Sequence, residues 1–201
     1  ISADGSAFAV HHRGQLLGQV RWPLLGEHNV LNALAALAAV HAVGVDPVPL
    51  LAQLAGFGGI KRRMEVVGQV DGITLYDDFA HHPTAIATTL AGLRARVGKA
   101  RIVVAMEPRS NSMRLGAHAD ALAPSLALAD AVVFLHRPEL AWDAAAVVAQ
   151  VRGQARAVPD TEQLLDQLAG LVSEGDHVVF MSNGGFDNAP RRLLALLQHG
   201  G

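Results

Sequence analysis

The chain has 201 residues, of which 51% are hydrophobic, 17% are charged and 4% are aromatic. This apolar content excludes an intrinsically disordered chain, and the absence of cysteine excludes a disulfide scaffold, a thiolate zinc site and a thiol nucleophile. The formal net charge of -2 excludes a globally basic surface for nucleic acid, although ten histidines add positive charge below neutral pH. A chain of this length holds one large domain, or one domain and part of another.

The sequence carries no pattern typical of a membrane span or of export. Its longest apolar stretch, residues 33–45, is shorter than the ~20 residues that a spanning helix needs. The first residues include neither an initiator methionine nor the basic and apolar regions of a signal peptide. We therefore expect a fragment of a longer protein, with no membrane or nucleic-acid partner.

Residues 1–57 predict a β-ribbon followed by two helices. Apolar runs around a glycine-containing turn are typical of a hairpin, and dense alanine and leucine favour a helix. Asn29 is the expected N-cap of the first helix. Three glycines within 56–59 predict a domain boundary, because glycine holds regular structure poorly. The predicted strands are 7–10 and 16–20, and the predicted helices are 29–43 and 48–55.

Residues 60–201 predict strands that alternate with helices. A hairpin around Asp71 and Gly72 begins this region, and short apolar strands then alternate with amphipathic helices. That alternation is typical of βαβ units with a parallel sheet. We therefore predict one α/β domain with a doubly wound, mostly parallel sheet. The predicted strands are 64–70, 72–76, 100–106, 130–135, 155–158 and 175–181, and the predicted helices are 83–97, 117–128, 141–150, 161–173 and 189–198.

Polar side chains follow the first strand pair, at the edge of the sheet where ligands of open α/β folds bind. Asp77 and Asp78 end a strand, and carboxylates accept hydrogen bonds from ribose hydroxyls or from magnesium-bound water. His81 and His82 precede a helix, whose N-terminus can receive an anion. The alternative is capping of that helix in a solvated turn. Adjacent histidines rarely share one ion and no cysteine is present, so we predict no protein-built metal site.

Two further loops at strand ends carry candidate substrate ligands. Arg109 offers a planar fork for a carboxylate, and Ser110 and Asn111 add hydrogen bonds. Ser182 and Asn183 precede two glycines that allow a ligand to approach the backbone closely. A surface salt bridge and ordinary turns are the alternative explanation. We assign no role to the fourth such loop, 136–139.

A basic run and an asparagine pair are the remaining candidates. Residues 61–63 are basic, and Arg63 could neutralise phosphoryl oxygens while Glu65 orients one of the arginines; a solvated charged run is the alternative. Asn29 and Asn32 lie three apart on one helix face, where amides can read a base edge; capping is the alternative.

Three catalytic fingerprints are absent from the sequence. It contains no G-x-x-x-x-G-K-[ST] phosphate loop, no G-x-S-x-G elbow and no complete dinucleotide fingerprint. We expect a phosphate-handling enzyme of this kind to obtain its phosphate loop from a part of the polypeptide outside this chain.

Taken together, five ordered motifs resemble one family, the Mur ligases, and within it the murein peptide ligases. The residues of two motifs, Phe-Ala-His-His-Pro at 79–83 and Glu-Pro-Arg-Ser-Asn at 107–111, distinguish this group from the muramate–alanine ligases. The motifs are residues 26–36, 61–65, 76–86, 107–111 and 181–186.

The resemblance implies three domains, of which this chain matches two in part or whole. Residues 1–57 correspond to the end of a central ATP-binding domain, and 60–201 to a Rossmann-like C-terminal domain. The implied reaction is cytoplasmic and uses ATP and Mg²⁺ to activate the carboxylate of UDP-N-acetylmuramate. The amino group of the murein tripeptide L-Ala-γ-D-Glu-meso-diaminopimelate then forms an amide, in peptidoglycan recycling. We expect this fragment to be inactive without the missing N-terminal and central domains.

The resemblance also implies residue roles, which fall into three groups. It places His28, Asn29 and Asn32 at the adenine, Arg63 at the ATP phosphates, and Asp77 and Asp78 at the ribose. It gives catalytic roles to Arg63, His81 and His82. It places His81, His82, Arg109, Ser110, Asn111, Ser182 and Asn183 at the peptide substrate. The sequence departs from the family pattern at 187–190, where glycine and histidine are expected.

Three alternatives remain open at this point. The first is a relative that adds a single amino acid, such as a UDP-N-acetylmuramate–L-alanine ligase. The second is an inert peptide- or nucleotide-binding module. The third is a dehydrogenase domain, which the missing dinucleotide fingerprint argues against.

Overall fold

The structure, a computed structural model, describes residues 1–109, 119–137 and 142–199. The chain divides into two compact units. The first contains Ile1–Ile60 and Ala91–Gly98, and the second contains Lys61–Leu90 and the residues from Lys99 onward. The segment 91–98 therefore groups with the first unit, whereas the sequence expectation placed it in the second. No helix within the described ranges is long and apolar enough to cross a membrane.

The first unit is a β-ribbon packed against helices. Two antiparallel strands meet at a turn in which Arg13 and Gly14 both have positive φ. The indole nitrogen of Trp22 donates to the carbonyl of Gly5 at 2.9 Å, which closes one end of the small core. The elements are β1 (Ala7–His12), β2 (Gln15–Arg21), α1 (Glu27–Ala42) and α2 (Leu50–Ala55). The core side chains are Phe8, Val10, Val20, Trp22, Val30, Ala33, Leu37 and Leu51.

The N-cap of α1 is Gly26, so the prediction of Asn29 is wrong. Gly26 has φ 89, a conformation that glycine adopts without strain, and the helix begins one residue later. Asn29 lies in the first turn, where its side-chain amide donates to the carbonyl of Leu25 at 2.7 Å. The asparagine therefore bonds backward to the preceding loop and does not cap the helix amides.

The second unit is built on a six-stranded sheet with the order β3-β4-β8-β5-β6-β7. Strands β3 and β4 form an antiparallel hairpin around Asp71 and Gly72, and the other neighbouring pairs are parallel. The strands are β3 (Glu65–Val70), β4 (Ile73–Asp78), β5 (Ile102–Met106), β6 (Ala131–Leu135), β7 (Gln154–Val158) and β8 (His177–Met181).

Helices connect the strands and cover the sheet. On one face, a buried cluster joins strand residues such as Leu75 and Phe180 to Leu164 and Leu193 of two helices. Alternate strand residues such as Val179 face the other way and are also fully buried, so the sheet is covered on both faces. The helices are α3 (Pro83–Val97), α4 (Ala119–Ser125), α5 (Ala144–Val148), α6 (Thr161–Leu171) and α7 (Ala189–His199), with one 3-10 turn (Phe186–Asn188).

The strand register brings the carboxyl ends of four parallel strands side by side. Asp78 of β4 pairs with Met181 of β8, which in turn pairs with Met106 of β5. Met106 pairs with Phe134 of β6. The loops that follow these four strands therefore emerge next to one another. This α/β sheet with covered faces confirms the predicted fold class.

Candidate functional site

Ser182 connects the loops that follow β4, β5 and β8. It is fully buried, and its hydroxyl donates to Glu107 Oε2 at 2.6 Å and accepts from the Gly184 amide at 2.9 Å. Its backbone amide donates to the Asp78 carbonyl at 3.1 Å, and its carbonyl accepts from Arg62 Nη2 at 2.8 Å. The hydroxyl is buried and bonded inside the fold, and its contact with substrate stays a prediction.

Glu107 is the acceptor at the centre of a polar network. Its side chain is 1% exposed, and its Oε1 accepts from Arg137 Nε at 3.1 Å. Arg137 Nη2 also donates to Asp187 Oδ2 at 2.6 Å, and that oxygen accepts from the Thr161 hydroxyl at 2.7 Å. The bonds from Arg137 and Thr161 hold the pKa of Asp187 below its ordinary value. Arg137 therefore ties the loop after β6 to the loops after β5 and β8.

Arg109 lies directly against the glycine loop that follows β8. It is exposed, and a Cβ atom built on Gly184 would lie 2.8 Å from its Nε and Nη1 atoms. The neighbouring Asn183 has a buried Oδ1 that no described residue donates to. The structure therefore brings two predicted substrate ligands, Arg109 and Asn183, to adjoining loops. Ser110 and Asn111 lie outside the described residues.

Asp77 and Asp78 are both bonded within the fold. Asp77 accepts from Arg62 Nε at 3.2 to 3.3 Å. Asp78 is 2% exposed, and its two oxygens accept from the amides of Ala80 at 2.7 Å and Met64 at 2.8 Å. Burial raises the pKa of Asp78, and these backbone hydrogen bonds oppose that rise. The Asp78 carboxylate thus holds together the loops on either side of it, and its contact with a ribose stays a prediction.

Phe79 lies between the basic run and the two histidines. The guanidinium carbons of Arg62 and Arg63 lie 5.5 and 5.3 Å from its ring centroid. His81 Nδ1 lies 2.9 Å from the Phe79 carbonyl oxygen, and the two rings meet edge to face at 5.3 Å. Arg63 and His81, both predicted as catalytic, are therefore held by the same aromatic residue.

His82 begins α3. It is exposed, and its Nδ1 accepts from the amide of Thr84 at 3.4 Å. Its carbonyl accepts from the amide of Ile86 at 3.0 Å, the first bond of the helix. The capping role that was the alternative for this residue is therefore present in the structure.

The predicted adenine ligands lie in the first unit, on the first two turns of α1. Asn32 is exposed, whereas His28 and Asn29 are half-buried. Since the side-chain amide nitrogen of Asn29 donates to Leu25, its oxygen remains the group that a base edge would meet. The helix spacing places Asn29 and Asn32 on one face, as expected.

The described residues contain no group of three or more His, Asp or Glu side chains that could hold a metal. Within the first unit the exposed Asn32 amide suits a base edge, and within the second unit the exposed guanidinium of Arg63 suits phosphate oxygens. A Mg²⁺ ion bound together with a nucleotide would take most of its oxygen ligands from phosphate and water, as Mg²⁺ usually does.

Sequence reasoning missed the ion pair of Glu107 and Arg137 and the contacts of Asp187 with Arg137 and Thr161. The position of Arg137 just after a predicted strand was a usable signal, since such loops bear ligands. Nothing in the sequence pairs residues that lie 30 and 50 positions apart.

Three curated proteins resemble this chain along most of its length. Two are described as UDP-N-acetylmuramate–L-alanyl-gamma-D-glutamyl-meso-2,6-diaminoheptandioate ligases. The Haemophilus influenzae protein is 42% identical over 98% of this chain and 44% of its own length. The Escherichia coli protein is 44% identical over 96% of this chain and 43% of its own length. A UDP-N-acetylmuramate–L-alanine ligase from Mycobacterium sp. (strain JLS) is 39% identical over 89% of this chain and 39% of its length. The chain thus spans less than half of these relatives.

Two solved structures share the fold. A murein peptide ligase from Psychrobacter arcticus superposes with a TM-score of 0.74 and 39% identity over 99% of this chain and 43% of that one. A UDP-N-acetylmuramate–alanine ligase from Thermotoga maritima gives a TM-score of 0.78 with 26% identity over 100% of this chain and 45% of that one.

A family model described as the Mur ligase, glutamate ligase domain matches residues 62–184, which is more than half of the chain. The match begins at Arg62 and ends at Gly184, so it includes every strand of the six-stranded sheet. The chain belongs to the Mur ligase family.

Proposed function

We propose that this chain is the C-terminal part of an ATP-dependent ligase that joins a murein tripeptide to UDP-N-acetylmuramate. The observation that carries the proposal is the exposed guanidinium of Arg109, held against Gly184 at the carboxyl edge of the sheet. A guanidinium in that place can bind a peptide carboxylate in a bidentate manner. The two relatives with 42% and 44% identity bear names that describe this reaction.

ATP and Mg²⁺ would supply the phosphoryl group that activates the muramate carboxylate. Within this chain, Arg63 would bind phosphate oxygens, and a positive group there stabilises charge that develops during transfer. His28, Asn29 and Asn32 would bind the adenine, and Asp77 and Asp78 the ribose.

The residues at the sheet edge would bind and orient the tripeptide. Arg109 would bind a carboxylate, and the buried Oδ1 of Asn183 would accept from a substrate N–H group. His81 and His82 would lie near the incoming amino group. The hydrogen bond between Ser182 and Glu107 would hold the loop in shape beside the substrate.

A UDP-N-acetylmuramate–L-alanine ligase is the second candidate. The Mycobacterium relative with that description is 39% identical to this chain. Since L-alanine also carries a carboxylate that Arg109 could bind, the amino-substrate preference, and not Arg109, distinguishes the two candidates. An inert binding module remains the third candidate for the chain in isolation.

The test is an amino-substrate panel with the full-length protein, ATP and UDP-N-acetylmuramate, scored by phosphate release. We expect the tripeptide L-Ala-γ-D-Glu-meso-diaminopimelate to give the highest kcat/KM, and free L-alanine to give at least tenfold less. A preference for free L-alanine would replace the first candidate with the second. If no amino acid or peptide in the panel stimulates phosphate release, both ligase candidates are overturned.

The affinity of the 201-residue chain for ATP, measured by calorimetry, tests the third candidate, an inert binding module. Because the sequence lacks a phosphate loop, we expect affinity in the millimolar range or weaker. Micromolar affinity would contradict the assignment of the main phosphate contacts to another part of the polypeptide.

A further inference from the structure

Residues 62–64 adopt a backbone that is unusual for their side chains. Arg62 and Met64 have φ 58 and 52, in the left-handed region that favours glycine, so the segment is strained. Three hydrogen bonds hold it: the Arg62 amide to Glu65 Oε2 at 2.9 Å, the Met64 amide to Asp78 Oδ2 at 2.8 Å, and the Phe79 amide to the Arg62 carbonyl at 2.8 Å. Strain that is maintained by its surroundings in this way is typical of functional sites.

The two arginines of this segment are held differently. The Arg62 guanidinium donates to Asp77 and to the carbonyl of Ser182, so its Nε and Nη2 donors already have partners inside the fold. The Arg63 guanidinium is exposed; it forms no hydrogen bond and no ion pair within 4 Å among the described residues, while its charge opposes the rise in the pKa of the nearby Asp78. Its contact is with the Phe79 ring, at 5.3 Å from the centroid. Arg63 is therefore positioned while its N–H donors stay available for an anion.

The same phenylalanine fixes His81. The carbonyl oxygen of Phe79 can only accept, so the Nδ1 atom of His81, 2.9 Å away, carries the proton. The edge-to-face ring contact fixes the plane of the imidazole. The second ring nitrogen, Nε2, is therefore the one available to a ligand in the neutral imidazole.

We propose that Phe79 is a positioning residue that presents the Arg63 guanidinium to phosphate through its ring and fixes His81 through its ring and carbonyl. This inference rests on the proposed ligase function, since it takes the ATP phosphates as the anion. Phe79 does not touch the reacting groups and acts through its two neighbours.

The kinetic test uses the full-length ligase with Phe79→Leu, Arg63→Ala and the double variant. Phe79→Leu should raise the KM for ATP about fivefold, because it removes the ring that holds Arg63. It keeps the backbone carbonyl that bonds His81, so the KM for the tripeptide should stay within twofold. Phe79→Tyr, which keeps a ring, should restore the KM for ATP. In the Arg63→Ala background, Phe79→Leu should add less than twofold, because the ring acts through that arginine. Equal effects in both backgrounds would overturn the proposal.

A spectroscopic test needs no activity. In the ¹⁵N-labelled 201-residue chain, the Arg63 Nε–Hε resonance should move when Phe79→Leu removes the ring current, and should stay near its place in Phe79→Tyr. The exposed Phe57, changed to Leu, is the matched control and should leave both the resonance and the KM for ATP unchanged. An unmoved Arg63 resonance in Phe79→Leu would overturn the proposal.

A stability check comes first, and two further outcomes separate this inference from the proposed function. If Phe79→Leu lowers the thermal midpoint by more than a few degrees, Phe79→Met, which keeps the side-chain volume without the ring, replaces it with the same expectations. If the tripeptide proves to be the wrong substrate, the resonance shift and the KM for ATP with the true substrate still test Phe79. If Arg63→Ala leaves the KM for ATP unchanged, the presentation of Arg63 to phosphate is refuted whatever the amino substrate.

Discussion

Glu107 and Arg109 lie two positions apart in one loop and have different roles. Glu107 is buried and bonded to Arg137 and Ser182, whereas Arg109 is exposed at the glycine loop. A buried carboxylate with a full set of donors stabilises the loop, and an exposed guanidinium is free to take a ligand. Substitutions at the two positions should therefore affect different quantities.

Under the proposed function, replacing Arg109 with Ala in the full-length protein should weaken binding of the tripeptide. Loss of a charge-assisted pair with a carboxylate, worth about 2 kcal/mol, raises the tripeptide KM about 30-fold with kcat within threefold. Arg192→Ala, at an exposed arginine that pairs with Glu162, is the control and should leave the KM unchanged. An unaltered tripeptide KM in Arg109→Ala would remove this residue from the substrate site.

Replacing Glu107 with Gln should destabilise the chain. The change removes a buried charge and leaves Arg137 with a weaker partner, so we expect a loss of about 3 kcal/mol in the free energy of unfolding by urea. Glu162→Gln makes the same change at an exposed pair with Arg192 and should cause a much smaller loss in the free energy of unfolding, because water screens the pair. Similar losses at the two sites would contradict the role given to burial.

Candidate site residues could be predicted from the sequence where their place next to a predicted strand determines where they lie in the fold. Arg109, Asn183 and His81 follow strands and Asp77 is the penultimate residue of β4, and the structure places all four at the carboxyl edge of the sheet. The internal role of Ser182 could not be foreseen, because its partner Glu107 lies 75 positions away and only the sheet order brings them together.

At the scale of elements, the caps of the helices are set by local hydrogen bonds. Asp160 is the N-cap of α6, as the sequence predicted for a helix from 161, and its carboxylate accepts from the Gln163 amide at 2.8 Å. Asn29 does not cap α1, because the helix already begins at Glu27 with Gly26 as its N-cap and Asn29 lies inside the first turn. A glycine with positive φ is harder to recognise in a sequence than an acidic cap, since many glycines adopt other conformations.

Replacing Asp160 with Ala should destabilise α6. Loss of the side-chain cap leaves helix amides without a partner and lowers the free energy of unfolding by about 1 kcal/mol. Asp166→Ala, at an exposed position inside the same helix, should change it by less than half as much. Thermal unfolding compares the stability of the two variants. Equal shifts in their thermal midpoints would argue against a capping role for Asp160.

At the scale of the whole molecule, element order could be predicted well and strand order could not. Apolar runs and their alternation with helices are local properties, so the predicted elements correspond closely to the observed ones. The insertion of β8 between β4 and β5 depends on contacts between distant residues, which periodicity does not encode. The predicted helix 141–150 is observed as Ala144–Val148, because Asp143 is its N-cap and the helix therefore begins at residue 144. Residue 141 lies outside the described ranges.

The first unit should show a distinct acid dependence. Burial opposes ionisation of Asp4, but hydrogen bonds from Ser6 and Ser2 and the charge of Arg96 outweigh it and lower the pKa from 3.8 to about 2. Because the folded pKa is depressed, the stabilisation by ionised Asp4, about 1 kcal/mol, is complete above pH 4 and is lost as pH falls toward 2.

Urea unfolding of the wild type and of Asp4→Asn, followed by tryptophan fluorescence, measures this effect. The difference in unfolding free energy should be about 1 kcal/mol at pH 7 and should narrow steadily between pH 4 and pH 2. A difference that stays constant over this range would mean that the Asp4 charge contributes nothing to stability.

The central place of β8 has a consequence for synthesis on the ribosome. This strand is the last of the six to be made, yet it separates β4 from β5 in the finished sheet. Until residues 177–181 have left the exit tunnel, β4 and β5 each lack a neighbour on that side, and their backbone amides and carbonyls stay exposed. The nascent chain is therefore most exposed to aggregation during the interval between β5 and β8, and a premature stop anywhere in it leaves a sheet that cannot close.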